Sequence, residues 1–359
     1  MIKEYHIENS FKSCWEKKIL DWYKINKRDL PWRKKENQNF YRIWISEVML
    51  QQTGVKTVIP YFNKFISKYP NIFKLSEAKL ENILLDWSGL GYYRRAKNLH
   101  ETSKIICKDF AGKIPQDYDL LVKMPGIGDY TASAILAIGF NNYANVVDGN
   151  IERIICRLNK ITKRLDLAKK EIKFHSSNFI PSEDNAFYVQ GLMDIGATIC
   201  KPKNTDCFKC PLKTFCKVAF KKNSINFPNR KPKLKKKVRV GTFICFIKEK
   251  NKILLIKNED KGLYSNMYVL PSYSWGGKDF LEKDIVLKKV IKKKNIDENV
   301  FHSFTHFNLQ AKIVIEEIKE IKILSNYEFI QFSELEQKAI PKLFKKIINV
   351  AKENLKPSA

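Results

Sequence analysis

Apolar positions along this chain change rhythm once. Over residues 11–27, Trp15, Ile19, Trp22 and Tyr23 fall on one side of a helix, which Leu30-Pro31-Trp32 ends. From Tyr41 to Lys123 the pattern stays helical, in segments of roughly 10–15 residues. Breaks are expected at Gly54, Pro60, Pro70, Gly89, Gly91 and Pro115. Met124 to Asn150 then reads as a Pro125-Gly126-Ile127-Gly128 hairpin followed by a helix with Ala132, Ile135, Leu136 and Gly139 facing inward. The stretch closes on a turn, Asp148-Gly149-Asn150. Alternating β-branched residues are scarce, so the region is all-α to about residue 217.

Beyond it the texture changes. Asn223 to Val238 holds two prolines and a lysine run with almost no apolar residues, the composition of a linker. Val238–Lys248 and Lys252–Lys257 read as strands joined by a short turn, and strand-like runs recur near His306–Ile315 and Tyr327–Phe332. Helices are expected around 279–294 and 341–354. The second has Pro341 at its start and Leu343, Phe344, Ile347, Ile348 and Ala351 inward. No internal repeat is evident. The chain of 359 residues is long enough for two cores. The expected division is 1–220, an all-α domain, 221–238, a basic linker, and 239–355, an α+β domain.

Composition changes this picture in one respect. The hydrophobic fraction of 44% and aromatic fraction of 12% describe globular domains, whereas 66 Lys+Arg against 38 Asp+Glu leave a net charge of +28. A polyanion is the natural partner, although lysine is abundant throughout and part of the charge is solvated surface. No apolar run reaches signal-peptide or transmembrane length, which predicts a cytoplasmic protein that does not contact a membrane. Eight cysteines in such a compartment argue against disulfides.

Four of those cysteines carry the strongest chemical signal: Cys200-x6-Cys207-x2-Cys210-x5-Cys216. Four thiols within seventeen residues converge only if a compact loop wraps one centre. Structural zinc and an iron–sulfur cluster both take four thiolates, and the uneven 6-2-5 spacing favours [4Fe–4S]. Free thiols are the third option. Lysines 201, 203, 209, 213 and 217 make this loop basic.

Three further stretches hold candidate chemistry. In Tyr41–Thr53, Glu47 lies among Ile43, Trp44, Ile45, Val48, Met49 and Leu50. Buried there, its carboxyl would hold a proton near neutrality and act as a general acid; on the outer face of an amphipathic helix it would not. In Trp87–Arg95, two tyrosines precede two arginines after a glycine turn. That suits an aromatic wedge beside phosphate-binding cations, or a packed tyrosine pair. The two glycines of the hairpin let backbone N–H groups converge at a helix start, a cradle for a phosphate oxygen.

Taken together, SEVMLQQT, GLGYYRRAKNLH, MPGIGDYTA, VVDGN and the cysteine loop resemble, in the same order, the helix-hairpin-helix DNA glycosylases. That group includes endonuclease III and MutY, the adenine DNA glycosylase, and the resemblance covers roughly residues 10–217. It implies a mainly α glycosylase domain with an Fe–S cluster loop, cluster ligands Cys200, Cys207, Cys210 and Cys216, and double-stranded DNA as partner. By the same resemblance, Asp148 stabilises the positive sugar left when the base departs, Asn150 orients it, and Glu47 protonates the leaving adenine and then activates water. Tyr130 stands where endonuclease III carries its Schiff-base lysine, which implies excision without strand cleavage. Gln51 and Gln52 border the pocket of the flipped base, Tyr92 is the wedge, and Gly126 and Gly128 carry the phosphate contact.

Residues 239–355 resemble the C-terminal domain of MutY, similar in fold to the MutT (Nudix) hydrolases. Residues 279–294 carry lysines where a hydrolase needs magnesium-binding glutamates, so hydrolysis is not expected. The family's Phe-Ser-His loop, which checks for 8-oxoguanine, reads Phe304-Thr305-His306 here, with Thr305 and His306 as the contacts. The expectation is a monomeric, nucleoid-associated adenine glycosylase acting opposite 8-oxoguanine or guanine. Alternatives are an endonuclease III-like glycosylase/lyase for oxidised pyrimidines, or a non-catalytic Fe–S DNA-binding protein.

Overall fold

The structure is a computed structural model that describes residues 9–34, 39–232, 234–275, 288–321 and 326–355. The chain divides into two compact units, Met1–Ser76 with Glu101–Lys233, and Glu77–His100 with Leu234–Ala359. Among the described residues eleven α-helices come first: α1 (Asn9–Asn26), α2 (Phe40–Leu50), α3 (Val55–Lys68), α4 (Ile72–Glu77), α5 (Leu80–Asp86), α6 (Arg94–Asp109), α7 (Tyr118–Leu121), α8 (Asp129–Ala134), α9 (Gly149–Asn159), α10 (Lys169–Ser177) and α11 (Asn185–Thr198). Among the described residues none is long and apolar enough to cross a membrane.

The core of the first unit forms where α11 packs with α1 and α9, and α2 packs with α3. Trp15, Ile19, Trp44, Ile45, Phe62 and Phe65 are fully buried. Trp15 donates through Nε1 to the Tyr188 hydroxyl at 2.9 Å, and the Tyr23 hydroxyl donates to Gln190 Oε1 at 3.0 Å. Both bonds satisfy buried polar groups across the α1–α11 seam. The expected break at Pro60 does not occur, because α3 runs through it. Pro60 and Lys56 are both exposed, so water can satisfy the carbonyl that the proline leaves without an N–H partner.

Residues 222–231, within the linker expected from composition, are tied to the helical unit. Leu165 N donates to Asn229 O at 2.8 Å, Arg157 Nε donates to Phe227 O at 3.0 Å, and Lys231 pairs with Asp166 at 3.2 Å.

Among the described residues the second unit contains a mixed seven-stranded sheet. Its strands are β1 (Lys237–Lys248), β2 (Lys252–Asn258), β3 (Met267–Val269), β4 (Ser272–Tyr273), β5 (Lys288–Ser303), β6 (Phe307–Ile321) and β7 (Tyr327–Gln331), followed by α12 (Lys342–Leu355). The order is β3-β2-β1-β6-β5, with β4 on β1 and β7 on β2; β1 and β6 run parallel and the other pairs antiparallel. The helix expected over 279–294 is corrected here. Residues 288–294 are strand, held by backbone pairing to β6 from Lys288↔Ile321 onward, while 279–287 lie outside the described residues. A lysine-rich stretch with few apolar positions has no decisive period of its own, so the partner strand decides its conformation.

Helix α12 buries Leu343, Phe344, Ile347, Ile348 and Ala351 as its periodicity predicts. Phe344 meets Tyr264, Phe243 and Trp275 edge-on, with ring centroids 5.4, 5.9 and 6.5 Å away. Phe344→Ala should therefore cost this unit about 3–5 kcal/mol in denaturant unfolding. A loss below about 1 kcal/mol would show that the helix face does not hold the sheet.

Candidate active site

Helix α2 is capped by Asn39, whose side chain accepts from Arg42 N at 3.0 Å, and is buried at Tyr41 and continuously from Ile43 to Met49. Glu47 therefore has no solvent face to turn to and is 6% exposed. That decides between the two orientations left open by the sequence. Tyr130, in the first turn of α8, donates its hydroxyl to Glu47 Oε2 at 2.5 Å. Burial pushes the Glu47 carboxyl up to about 7, and the negative charge of Asp148 pushes the same way. The Tyr130 bond and the Arg33 guanidinium oppose the rise without cancelling it. Burial together with the charges of Glu47 and Asp148 holds the Tyr130 phenol well above its usual range, so it stays a donor.

Asp148 caps α9. Its Oδ1 accepts from the backbone N–H groups of Asn150 and Ile151 at 2.9 and 2.7 Å, and its Oδ2 accepts from Asn150 Nδ2 at 2.7 Å. Burial raises its pKa above the ordinary carboxylate value, opposed by these three donors and by Arg153. Asn150 is fixed in turn: Arg153 Nη2 donates to its Oδ1 at 3.0 Å, and a Cβ at Gly196 of α11 would come within 2.6 Å of the Asn150 Cβ. Only glycine lets the two helices approach this closely. Glu47, Tyr130 and Asp148, far apart in the chain, thus act on one another electrostatically.

A cavity of about 40 Å³ adjoins Glu47, walled in part by Arg28, Trp32, Arg33, Leu50, Gln190 and Met193. It shares Trp32, Arg33, Ile43, Ile138 and Gln190 with a larger one of about 330 Å³. None of the polar wall residues was singled out from sequence. Neither was Asp194, fully buried in α11, which pairs with Arg28 and Arg33 at 2.7 Å each. The available signals were two arginines flanking Leu30-Pro31-Trp32 and one acid in the apolar run Gly191–Ile199.

The remaining candidates lie at surfaces. Gln51, one turn after Glu47, donates through Nε2 to Thr131 Oγ1 at 3.3 Å, whereas Gln52 is exposed with a left-handed backbone, φ 55°. In the hairpin, Thr102 Oγ1 donates to Pro125 O at 2.7 Å, and both Gly126, at φ 76°, and Gly128 are exposed. No atom outside its chain neighbours would lie within 4 Å of a Cβ at Gly128, so the approach to this backbone is open.

In the second unit, Tyr92 is half exposed with φ 47°, and the Arg95 guanidinium lies 5.5 Å from its ring centroid. Its hydroxyl sits 3.4 Å from Thr305 Oγ1. Thr305 and His306 form the exposed tip of the β5–β6 hairpin, where Phe304 N donates to Phe307 O at 2.9 Å and the two rings stack at 4.6 Å. His306 is thus a surface residue and not part of the core.

Cys200, Cys207, Cys210 and Cys216 line one cavity of about 30 Å³ together with Arg157. The donor set fits a thiolate-bound group. Arg157, 2% exposed, donates from Nη1 to Cys200 Sγ at 3.1 Å and so supplies buried positive charge to the sulfurs. Burial pushes the Cys210 thiol up to about 12 and raises Cys216, so ionising them calls for bound cationic charge. Among the described residues no three His, Cys, Asp or Glu side chains are grouped as ligands of a metal ion. Arg157 and Arg153, which donates to Cys200 O at 2.7 Å, also went unnoticed in the sequence.

Comparison with known proteins agrees with this geometry. The family profile described as "HhH-GPD superfamily base excision DNA repair protein" matches residues 45–182, and that of the NUDIX domain matches residues 242–350. A solved thermostable thymine-DNA glycosylase superposes with a TM-score of 0.53 at 26% identity, covering 59% of this chain and 97% of its own. Fold and site together define a base-excision DNA glycosylase carrying a Nudix-like domain. The adenine DNA glycosylase of Buchnera aphidicola subsp. Schizaphis graminum is 39% identical over 316 residues, 86% of this chain and 89% of that protein. That of Buchnera aphidicola subsp. Baizongia pistaciae is 37% identical, over 86% of this chain and 87% of that protein. The chain belongs to the adenine DNA glycosylase family.

The proton on Glu47 has a stability consequence. The folded state keeps it up to about 7, whereas an ordinary glutamate loses it near 4.5. The folded state therefore binds more protons between those values. Its stability is full below the lower value and falls as pH rises through the upper one. Glu47→Gln, which mimics the protonated form, should stabilise the protein by about 3 kcal/mol at pH 8 and by almost nothing below the ordinary carboxylate range. Equal gains at both ends in denaturant unfolding would contradict the buried proton.

Proposed function

We propose that this enzyme removes undamaged adenine paired with 8-oxoguanine or guanine, by hydrolysis and without cutting the strand. The observation that carries the proposal is a carboxyl protonated near neutrality, Glu47, set against a second carboxylate whose oxygens are both held by donors. Glu47 gives its proton to a ring nitrogen of the extruded adenine. The C1′–N9 bond then breaks with its electron pair leaving on the neutral base. Asp148 faces the resulting oxocarbenium-like sugar, oriented by Asn150. The Glu47 carboxylate next takes a proton from the attacking water, which closes the cycle with the acid restored. Tyr130 keeps Glu47 in place and offers no amine for a Schiff base, so the lyase alternative lacks a nucleophile.

We assign Gln51 and Gln52 to the border of the flipped base, Gly126 and Gly128 to a phosphate, Tyr92 to the base stack, and Thr305 and His306 to the opposite base. The contact between Tyr92 and Thr305 supports treating these last groups together. Cys200, Cys207, Cys210 and Cys216 would hold a [4Fe–4S] group, which when bound cross-links the basic loop through metal–thiolate bonds. The protein acts as a monomer in the cytoplasm, on chromosomal DNA.

The test is excision from duplexes carrying adenine opposite 8-oxoguanine or guanine, beside a thymine-glycol duplex. Glu47→Gln and Asp148→Asn should each lose at least about 10²-fold in single-turnover rate while binding duplex as wild type does. Excision that survives both substitutions, or a borohydride-trapped covalent adduct in wild type, would overturn the assignment. Purified protein should contain iron and not zinc.

A further inference from the structure

Asp194 is an acid at zero exposure in an otherwise apolar stretch of α11, and its carboxylate is saturated. Oδ1 accepts from Arg28 Nε at 2.7 Å and Arg33 Nη2 at 2.9 Å; Oδ2 accepts from Arg28 N at 3.0 Å and Arg33 Nη1 at 2.7 Å. Four acceptor sites meet four donors, one guanidinium being gripped through both ends of its fork. Arg28 and Arg33 both line the cavity that Glu47 also lines, and the rest of its described lining carries no charge. The remaining polar wall, Gln190, is fixed separately: its Oε1 accepts from Tyr23 and its Nε2 donates to Ala186 O at 3.1 Å.

We infer that Asp194 is a positioning residue for adenine excision, holding Arg28 and Arg33 as a rigid wall of the base pocket and offsetting their charge next to the acid. The inference rests on the function proposed above. The charged and titratable groups that face Glu47 are Tyr130 from α8, Asp148 from the turn before α9, and Arg33 with Arg28 from the segment after α1. With Asp194 ionised, the two guanidiniums and this carboxylate together carry one net positive charge; without it they carry two. The added charge favours the Glu47 carboxylate over the acid. A loosened guanidinium wall also lets the extruded base sit out of line with the proton donor.

Asp194→Asn keeps the shape, removes the charge and turns an N–H₂ toward donors. Single-turnover excision of adenine opposite 8-oxoguanine, followed against pH, should fall at least about tenfold at its plateau. Its alkaline limb should move to lower pH by about one unit, because Glu47 surrenders its proton earlier. Asp194→Glu should restore the position of the limb. A limb unmoved in Asp194→Asn, in protein that still binds duplex, overturns the inference and makes the clamp purely structural. Should Asp194→Asn fail to fold by circular dichroism, Arg33→Lys carries the test: it keeps the charge but not the fork, so the rate should fall about tenfold with the limb in place, and an unchanged rate overturns the inference. Absence of adenine excision by wild type in the same series would overturn the proposed function and the inference with it. Wild-type excision with an unmoved limb overturns the inference alone.

Discussion

One constraint organises the helical unit: a carboxyl group on a helix with no wet face must keep its proton or find a partner. Glu47 does both, through burial and through the Tyr130 hydroxyl. An acid that gave up its proton in the ordinary carboxylate range would be ionised before meeting a base near neutrality. The buried α2 is therefore as much a part of the chemistry as the carboxyl, since it excludes the water that would otherwise stabilise the anion. The free energy stored in that burial is drawn from the packing of α2 against its neighbours.

The opposing carboxylate is handled differently. Asp148 has its oxygens spoken for by backbone and Asn150 donors, so the groups around it support the anion even where burial does not. Its support runs outward in named steps: Asn150 to Arg153, Arg153 to the carbonyls of Gly149, Gly196 and Cys200, and Arg157 to the Cys200 sulfur. A short helix with two inward guanidiniums thus carries both the Asp148 cap and the framework of the cysteine loop. Two carboxyl groups, one kept neutral by burial and one kept surrounded by donors, thus differ through their surroundings alone, which is the basis of the roles proposed for them.

Local signals made much of this visible in the sequence. The hairpin glycines, the turn at Asp148, the amphipathic face of α12 and the four-cysteine spacing each depend on residues near one another in the chain, and the structure has a hairpin before α8, a turn at Asp148, an inward apolar face on α12 and four cysteines around one cavity. The orientation of Glu47 was beyond that reach, because whether a mostly apolar helix has an outer face depends on what surrounds it. Arg28, Arg33 and Asp194 were missed for a related reason: a salt bridge across more than a hundred and sixty residues leaves only isolated charges in the one-dimensional pattern. The start of β5, residues 288–294, has a helical expectation because lysines suit any solvated surface and the partner strand lies downstream. Pro60 was read as a break because its tolerance rests on an exposed carbonyl, a property of the fold.

The proton on Glu47 can be observed directly. Protein labelled with ¹³C at the glutamate side-chain carboxyl would be titrated by NMR beside Glu47→Gln, and the resonance that disappears in the variant assigned to Glu47. A titration midpoint near the value of about 7 set by burial is the result expected. A midpoint in the ordinary range near 4.5 would mean that the carboxyl is ionised at the pH of catalysis, and would contradict its role as the acid.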